Sequence, residues 1–559
     1  MELTRKRPLE GYDGDGDEKP DNQQRSTPRS LTHPISPPLK KRRLPTTKTD
    51  TGSSTTSSPV EVIGSPFQLT KIKNLPAGLN EHTYTLNDIL GDPLISECWE
   101  FNYLHDIDFL MSAFDEDVRS LVKVHVVHGF WKREDPNRLA LQESVSRFSN
   151  VTLHAAFLPE MFGTHHSKMF ILLRHDDTAQ IIIHTANLIT RDWANMTQAA
   201  WFSPRLPLLK PGQGQEEGQP RIGNGAKFKM DFVNYLRAYD TKRSTCKDII
   251  TKIVRYDFSS IKGALISSVP GRHTVTQSVS STDFGWAAMK SALTAVPLNN
   301  NGSKPEIAIQ ISSIATLGPT DSWLKNTFFR ALSTNTPAEF KVVFPTPDEI
   351  RKSLDGYNSG GSIHTKVQSP QQAKQLQYLK PLFHHWANDS ASGFAVDPSK
   401  VKDSGRKRAA PHIKTYIRSH RPTPESNESD IHIDWALLTS ANLSKQAWGE
   451  ALSTKEKTVR ISSYEIGVLV WPGLYDEKAV MRPAFLSDTL LASEENIAGV
   501  SDDGNGKEKE TDDDQNKAAE VALRMPYNLP LQRYGPGEVP WVATANHTEP
   551  DWMGRIWQV

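Results

Sequence analysis

The chain has 559 residues, with 65 Lys plus Arg against 65 Asp plus Glu, and therefore no net formal charge. The length allows two to four domains, and the charge balance excludes nucleic-acid binding through an overall basic excess, so any such binding needs a local patch. The two cysteines, Cys98 and Cys246, argue against a disulfide framework and a Cys-rich zinc module, and they fit a reducing compartment.

The first 66 residues predict a disordered tail, because they are rich in Ser, Thr, Pro, Gly and charge and hold few large apolar side chains. Basic clusters occupy residues 5–7 and 40–43, and the second is typical of a nuclear localisation signal. The alternative is a solvated charge run. The sequence shows neither the apolar segment of a signal peptide nor a long apolar run, so we expect a soluble nuclear protein without a membrane segment.

Folded sequence is expected from Phe67 onward, in two successive halves. In residues 67–300, apolar runs typical of buried strands (122–127, 169–173 and 181–183) alternate with helical stretches, which indicates a layered α/β domain. The same alternation of apolar runs and helical stretches begins again in residues 301–559, with strand candidates at 307–311, 340–344, 435–438 and 466–470. We expect a disordered acidic insertion at about residues 493–517, and an aromatic C-terminal end (Trp541, Trp552, Trp557) that packs on the core.

One short pattern occurs once in each half. It consists of His-x-Lys, an apolar run, and Ala-Asn-Leu, with Trp six residues after the asparagine. Its members are His166, Lys168, Asn187 and Trp193 in the first half, and His412, Lys414, Asn442 and Trp448 in the second. A single His-x-Lys arises by chance in many chains, but two copies with matching partners in the same order indicate a duplicated half-site.

The duplicated pattern predicts an anion site. Residues i and i+2 of a strand share a face, so each His-x-Lys pair is expected to point one way, and asparagines at the ends of the neighbouring strands would add amide donors. Two imidazoles, two ammonium groups and two amides suit a phosphoryl group that undergoes in-line displacement. The structural alternative is that each histidine is an ordinary core residue, which is how we interpret the nearby His154, His165 and His184.

Clustered histidines could also hold a metal. We discount this reading because a lysine on the same face as each histidine would repel a divalent cation. The sequence also has no His-Glu-x-x-His or paired-carboxylate motif beside them. No metal or other cofactor is therefore expected.

The segments that carry the pattern resemble the tyrosyl-DNA phosphodiesterase family of the phospholipase D superfamily. They are residues 163–169, 184–188, 359–362, 411–416, 439–445, 463–467 and 526–530. The general superfamily pattern has an aspartate five residues after each lysine, where this chain has Leu173 and Ser419. That departure disfavours a generic phospholipase and is the expected state in the tyrosyl-DNA phosphodiesterase branch.

The resemblance implies two phospholipase D-like α-β-α sandwich domains, at residues 67–300 and 301–559, related by pseudo-two-fold symmetry with the site between them. It also implies a metal-independent hydrolase that acts in the repair of DNA single-strand breaks. The enzyme would cleave the 3′-phosphodiester between DNA and a tyrosine of trapped topoisomerase I. Its partners would be single-stranded, nicked or blunt DNA carrying that adduct and the topoisomerase I-derived peptide, and it would act as a monomer.

The same resemblance implies roles for individual residues. His166 would be the nucleophile that forms a phosphohistidine, and His412 the general acid and then base, so their pKa values should be pushed apart. The remaining roles are phosphate binding for Lys168, Lys414, Asn187 and Asn442; orientation of the histidines for Gln198 and Glu465; and DNA contacts for Phe162, Ser362, Ser444 and Lys445. For the last four, turn, helix-cap or core roles are the alternatives.

Three other functions remain open from the residues. The first is another phospholipase D-superfamily phosphodiesterase or nuclease that acts on nucleic-acid ends. The second is a lipid-hydrolysing phospholipase, which the missing aspartates disfavour. The third is a DNA-binding module with a relic site, which the intact pattern in both halves disfavours.

Overall fold

The computed structural model describes residues 61–210, 218–276, 278–298, 304–333, 336–387, 398–423, 426, 430–453, 457–486 and 518–559. Both basic clusters and the predicted acidic insertion lie outside these ranges. The described structure begins at residue 61, and Val62–Ile63 pairs in parallel with a strand near the other end of the chain. Val62 and Ile63, which the composition assigns to the predicted tail, thus form a strand with a partner far away in the sequence. Local composition does not show this contact.

The strands of the described residues form two large mixed sheets and two small ones. In chain order they are β1 (Val62–Ile63), β2 (Gln68–Leu69), β3 (Ile95–Phe101), β4 (Lys123–His128), β5 (Val151–Ala155), β6 (Met169–Arg174), β7 (Thr178–His184), β8 (Ala199–Phe202), β9 (Leu206–Pro207), β10 (Ala264–Ser268), β11 (Gly271–Thr274), β12 (Glu306–Gln310), β13 (Glu339–Val343), β14 (Phe383–His384), β15 (Thr415–His420), β16 (His432–Thr439), β17 (Glu450–Ser453), β18 (Thr458–Ile461), β19 (Glu465–Val470), β20 (Val480–Ala484) and β21 (Glu520–Arg524).

Helices cover the sheets and connect their strands, and several begin at side-chain caps. Asn224 caps the longest by accepting a hydrogen bond from Lys227 N, and Ser369 forms a capping box with Gln372. The α-helices are α1 (Leu86–Leu90), α2 (Ile107–Ser112), α3 (Pro136–Val145), α4 (Thr190–Ala194), α5 (Gly225–Ala238), α6 (Lys247–Ile253), α7 (Trp286–Leu293), α8 (Arg330–Ser333), α9 (Pro347–Arg351), α10 (Tyr357–Gly360), α11 (Pro370–Leu379) and α12 (Lys445–Trp448).

The two large sheets have the same topology. The first has the strand order β2-β8-β7-β6-β3-β4-β5, and the second has β10-β19-β16-β15-β12-β13-β14. In both, the first five strands pair antiparallel and the last two join in parallel. The duplicated sequence pattern therefore reflects a duplicated fold, in which β6 corresponds to β15 and β7 corresponds to β16.

Side-chain alternation along the strands divides the core into layers. In β6, Met169 and Ile171 belong to a cluster shared by the two sheets, whereas Phe170 and Leu172 pack with α1 and α2 on the outer face. In the second sheet, residues along β15, β16 and β19 alternate in the same way. One set belongs to the shared cluster and the other set belongs to an outer cluster. Both faces of each sheet are covered, which explains why these strands are almost continuously apolar.

The second sheet begins earlier in the chain than the sequence indicates. Strand β10, at Ala264–Ser268, precedes residue 300 but pairs with β19. The pairing joins residues about two hundred positions apart, which no local pattern shows. Strand β10 thus lies before the predicted domain boundary near residue 300, and the position of that boundary stays a prediction.

At the C-terminal end, Trp541 is fully buried, as predicted, and donates to the backbone oxygens of Gly360 and Ile363 at 3.2 and 3.1 Å. Trp552, in contrast, is 64% exposed. Within the described ranges, no helix is both long enough and apolar enough to cross a lipid bilayer.

Candidate active site

The two His-x-Lys segments stand immediately before the central strands of the two sheets. Lys168 directly precedes β6 and Lys414 directly precedes β15, so each segment leads into a strand. The sequence predicts these residues within the strands themselves, and the structure corrects this. Their backbones pair instead with the opposite half. His166 N donates to Tyr464 O at 3.0 Å, and His412 N donates to Thr197 O at 3.1 Å.

This exchange brings both histidines to one cavity of about 250 Å³ at the junction of the halves. Its wall combines residues of both half-sites with residues of the loops that follow β3, β12 and α10. The lining residues are Tyr103, Leu104, Thr164, His166, Asn187, Arg191, Ser312, Ser313, Ala315, Gly361, Ser362, His364, His412, Asn442, Ser444, Gln446, Ser463 and Glu465.

His166 is held by a carboxylate from the other half. Its Nδ1 donates to Glu465 Oε2 at 2.9 Å, and Ser440 Oγ donates to the same oxygen at 2.6 Å. Burial lowers the pKa of His166, although the charge of Glu465 opposes the shift. Burial by itself would raise the pKa of Glu465, but the attraction and hydrogen bond of His166 and the bond from Ser440 outweigh it and lower that pKa. A neutral His166 thus keeps its proton on Nδ1 and its lone pair on Nε2.

His412 has an amide where His166 has a carboxylate. Nε2 and Oε1 of Gln198 lie 3.0 and 3.3 Å from His412 Nδ1, and Asp192 Oδ2 also lies 3.3 Å from that nitrogen. Gln198 stands just before β8 and Glu465 begins β19, so the two partners are equivalent positions of the duplicated fold. The amide oxygen can accept from Nδ1–H of His412 whether the ring is neutral or protonated, provided that Nε2 is the nitrogen that exchanges its proton.

The two pKa values are expected to separate so that His412 holds its proton, but the structure lowers the pKa of both histidines. Burial, followed by the charges of Lys414 and Lys168, lowers the pKa of His412 well below its usual value. The pKa of His166 also falls, for the same first reason. Because cations cause part of the shift at His412, a bound phosphodiester anion would reverse that part.

Both lysines are fully buried behind the cavity wall. Lys168 Nζ donates to His166 O at 3.1 Å, and Lys414 Nζ donates to His412 O. Burial lowers the pKa of Lys168 to about 8, and burial together with the charge of Lys168 lowers the pKa of Lys414 well below its ordinary value. An anion bound in the cavity would oppose both effects, so each lysine would hold its proton more firmly once the anion is bound.

The asparagines lie in equivalent loops after β7 and β16. The tryptophan of each repeat donates from Nε1 to the backbone oxygen of its asparagine, at 3.0 Å for Trp193 and 3.1 Å for Trp448. This contact explains why the tryptophan occurs in both copies. Asn442 Oδ1 accepts from the backbone N–H groups of Ser312 and Ser313 at 3.0 and 2.9 Å, which leaves its amide nitrogen available to the cavity.

Of the residues predicted to touch DNA, two serines reach the cavity wall and two side chains lie outside it. Ser362 and Ser444 line the cavity, and Ser444 also caps α12. Lys445 pairs with Glu450 at 3.0 Å. Phe162 is 73% exposed, which rules out the core alternative for this ring.

Sequence reasoning missed several residues of the site. Asp192 is fully buried, and its Oδ2 accepts from both N and Nδ2 of Asn187 at 2.9 Å, while its Oδ1 accepts from Ser362 Oγ at 3.2 Å. The only available signal was its position inside the Asn-to-Trp segment, and the second copy has Ala447 there. The others, which come from loops outside the repeat or from its variable positions, are Tyr103, Arg191, Ser312, Ser313 and His364.

One possible metal-ligand group occurs among the described residues, away from the cavity. It consists of Glu97, His125 and Asp248. Lys252 Nζ already lies 2.8 Å from Glu97 and 2.6 Å from Asp248, so an ammonium group occupies the place that a cation would take. The donor set at the cavity, with two lysines behind two histidines, likewise fits an anion and not a divalent cation.

Known proteins resemble this chain over nearly its whole folded length. Residues 66–535 match the family described as tyrosyl-DNA phosphodiesterase. A probable tyrosyl-DNA phosphodiesterase of Schizosaccharomyces pombe is 30% identical, over 89% of this chain and 96% of the relative. Tyrosyl-DNA phosphodiesterase 1 of Arabidopsis thaliana is 29% identical, over 89% of this chain and 77% of the relative.

The fold is shared with a solved structure. The crystal structure of the yeast tyrosyl-DNA phosphodiesterase superposes with a TM-score of 0.57 at 19% identity, and covers 85% of this chain and 98% of its own. The α/β fold predicted from the sequence is therefore confirmed, and this chain shares it with the yeast enzyme. The chain belongs to the tyrosyl-DNA phosphodiesterase family.

Proposed function

We propose that this chain hydrolyses the 3′-phosphodiester bond between DNA and a tyrosine side chain through a covalent phosphohistidine. The observation that carries the proposal is the pair of imidazoles from opposite halves that line one cavity, each held by a partner from the other half. Relatives named as tyrosyl-DNA phosphodiesterases support the choice of substrate.

In the first step, His166 Nε2 attacks phosphorus while the bond from phosphorus to the tyrosine oxygen breaks. The hydrogen bond from Nδ1 to Glu465 fixes the ring and stabilises the positive charge that develops on it. His412 passes its proton to the departing phenolate. Binding of the anionic phosphodiester favours this protonated state, because it offsets the lysine charges that lower the pKa of His412.

In the second step, His412 is neutral and takes a proton from water, which attacks phosphorus as the bond to His166 breaks. The products are DNA with a 3′-phosphate and the free histidine. His412 exchanges its proton at Nε2 and keeps a proton on Nδ1 in both steps, and Gln198 Oε1, 3.3 Å from Nδ1, can accept from it in both.

The phosphoryl oxygens are bound by the remaining members of the duplicated pattern. Lys168 and Lys414 supply positive charge from behind the cavity, and Asn187 and Asn442 supply amide groups at its wall. These groups neutralise the transferred phosphoryl group, so the mechanism needs no metal. Ser444 at the cavity wall, and Lys445 and the exposed ring of Phe162 outside it, would hold the DNA strand. The hydroxyl of Ser362, also predicted as a DNA contact, is engaged by Asp192 and Arg191.

The natural substrate in this proposal is DNA that carries a topoisomerase I-derived peptide, as a single strand or at a nicked or blunt end. The site of action would be the nucleus, and the basic clusters at residues 5–7 and 40–43 would direct import. The two half-sites lie in one chain, so a monomer is sufficient for catalysis.

The direct test uses a 5′-labelled single strand that ends in a 3′-phosphotyrosine, with and without chelator. We expect conversion to the 3′-phosphate at the same rate in both conditions. Dependence on added Mg²⁺ or Zn²⁺ would contradict the metal-free mechanism. No release of tyrosine, with cleavage of unmodified ends instead, would favour a nuclease of the same superfamily.

Replacing Glu465 with glutamine should lower kcat by about 10²- to 10⁴-fold, because the carboxylate stabilises the cationic ring formed on attack. The pH profile should move as well. Glu465 raises the pKa of His166 against the effect of burial, so the pKa falls further without that charge. Attack needs neutral His166, and the acid limb of kcat/KM therefore moves to lower pH.

Glu116→Gln is the matched control for this variant, since the side chain of Glu116 is 91% exposed. It should leave both the rate and the acid limb as in the wild type. An acid limb that stays in place in Glu465→Gln would show that Glu465 does not act on His166 through its charge.

A further inference from the structure

Arg191 is a cationic residue of the cavity that the duplicated pattern does not explain. It lies in α4, directly after the Asn187 loop, and lines the cavity beside Gly361 and Ser362. Its Nη2 donates to Ser362 Oγ at 2.9 Å. A Cβ atom on Gly361 would come within 3.0 Å of Arg191 Nη1, so the glycine leaves the room that the guanidinium occupies.

The charge of Arg191 is not neutralised within the part of the chain that the structure describes. No carboxylate there forms an ion pair with it, and its Nε is buried without a hydrogen-bond partner. The adjacent Asp192 carboxylate binds Asn187 and Ser362 and lies close to His412 instead. A half-buried guanidinium of this kind gains most from an anion that enters the cavity.

The phosphoryl group under transfer does not account for this cation. The two lysines and two asparagines of the half-sites serve that group symmetrically. Arg191 breaks the symmetry, because the equivalent position in the second repeat is the neutral Gln446. The arginine therefore addresses a part of the substrate that occurs on one side of the phosphorus only.

That side is the one where the leaving group departs. Ser362 Oγ contacts both Arg191 and Asp192, and Asp192 lies 3.3 Å from Nδ1 of His412, the proposed acid for the leaving tyrosine. Two of the predicted DNA contacts, Ser444 and Lys445, stand on the loop of the other asparagine, which the duplicated topology makes the counterpart of the Arg191 loop. The hydroxyl of Ser362 already donates to Asp192 and accepts from Arg191, so we place it on the leaving-group side and not with the DNA contacts.

We propose that Arg191 forms a subsite for a carboxylate of the peptide attached to the departing tyrosine, so that the enzyme prefers acidic tyrosyl peptides as leaving groups. The inference rests on the proposed function and adds a substrate preference to it. The planar guanidinium, anchored on Ser362 and backed by Gly361, can bind a glutamate or aspartate side chain, or a peptide C-terminus, through paired hydrogen bonds.

The test compares three oligonucleotides whose 3′-phosphotyrosine lies in a tripeptide flanked by Glu, by Gln or by Lys. For the wild type we expect kcat/KM to be about tenfold higher with Glu than with Gln, and lowest with Lys. Arg191→Gln should bring the Glu-to-Gln ratio to about one, and Arg191→Lys should keep part of the preference because it keeps the charge. Lys445→Gln, on the opposite loop, should leave the ratio as in the wild type.

The outcomes separate the two proposals. Wild-type enzyme that cleaves all three substrates at equal kcat/KM, or a Glu preference that survives in Arg191→Gln, would overturn the subsite alone. The subsite is also overturned if Arg191→Gln lowers kcat/KM for all three substrates by the same factor and this factor grows with DNA length. Arg191 would then bind DNA. Failure of the wild type to cleave any of the three would contradict the proposed function itself.

Discussion

The His166→Ala variant is expected to lose turnover, with kcat lower by at least about a thousandfold. Alanine removes the nitrogen that attacks phosphorus, and the adjacent imidazole of His165 cannot take its place. The neighbouring His165 is buried and uses both nitrogens in hydrogen bonds, at 2.8 Å to Asn102 O and 3.0 Å to Tyr239 Oη. The measurement is release of tyrosine from a 3′-phosphotyrosyl oligonucleotide under single-turnover conditions.

His175→Ala provides the control, because His175 is an exposed histidine in the turn that follows β6 and should be dispensable. Thermal unfolding of both variants at the wild-type midpoint would show that the folds are intact. Turnover that persists in His166→Ala would remove the assignment of the nucleophile. Loss of turnover together with continued binding of the oligonucleotide supports it.

The His412→Asn variant is expected to accumulate a covalent protein–DNA species. The first step expels a phenolate whose conjugate acid has a pKa near 10, so this step continues at a reduced rate without an acid. The second step requires attack by water, a much weaker acid, and depends more strongly on a general base. Loss of His412 therefore slows breakdown of the phosphohistidine more than its formation.

The covalent species would be measured as labelled DNA that migrates with the protein on a denaturing gel and is lost after acid treatment, because phosphohistidine is acid-labile. The double variant His166→Ala/His412→Asn should form none. Equal slowing of both steps, with no covalent species at any time, would contradict the division of roles between the two histidines. A covalent species in the double variant would show that another residue is the nucleophile.

Both predictions rest on a feature that only the folded chain shows, the exchange of partners between the halves. The sequence pattern pairs each histidine with a lysine two residues away and an asparagine on the next strand. In the structure, the residue that orients His166 comes from β19, and the residue that orients His412 comes just before β8. Each half-site is therefore incomplete without the other.

The sequence alone was sufficient where the signal was local or repeated. The apolar runs at residues 169–173 and 435–438 became central strands. The repeated pattern located both histidines and both asparagines at one cavity, and both lysines behind the histidines. Spacing within a strand and recurrence of a motif are properties of short segments, so they can be recognised before any tertiary contact is known.

The tertiary structure decided what depends on distant contacts. It paired β10 with the second sheet and Val62–Ile63 with β21. It also brought Arg191 to the wall of the cavity and the buried Asp192 to within 3.3 Å of His412. It also decided the ionisation of the site, because the pKa of a buried histidine depends on which charges pack against it and on how completely water is removed. Residue type and spacing determine which groups are available, whereas long-range packing determines which of them meet and in what protonation state.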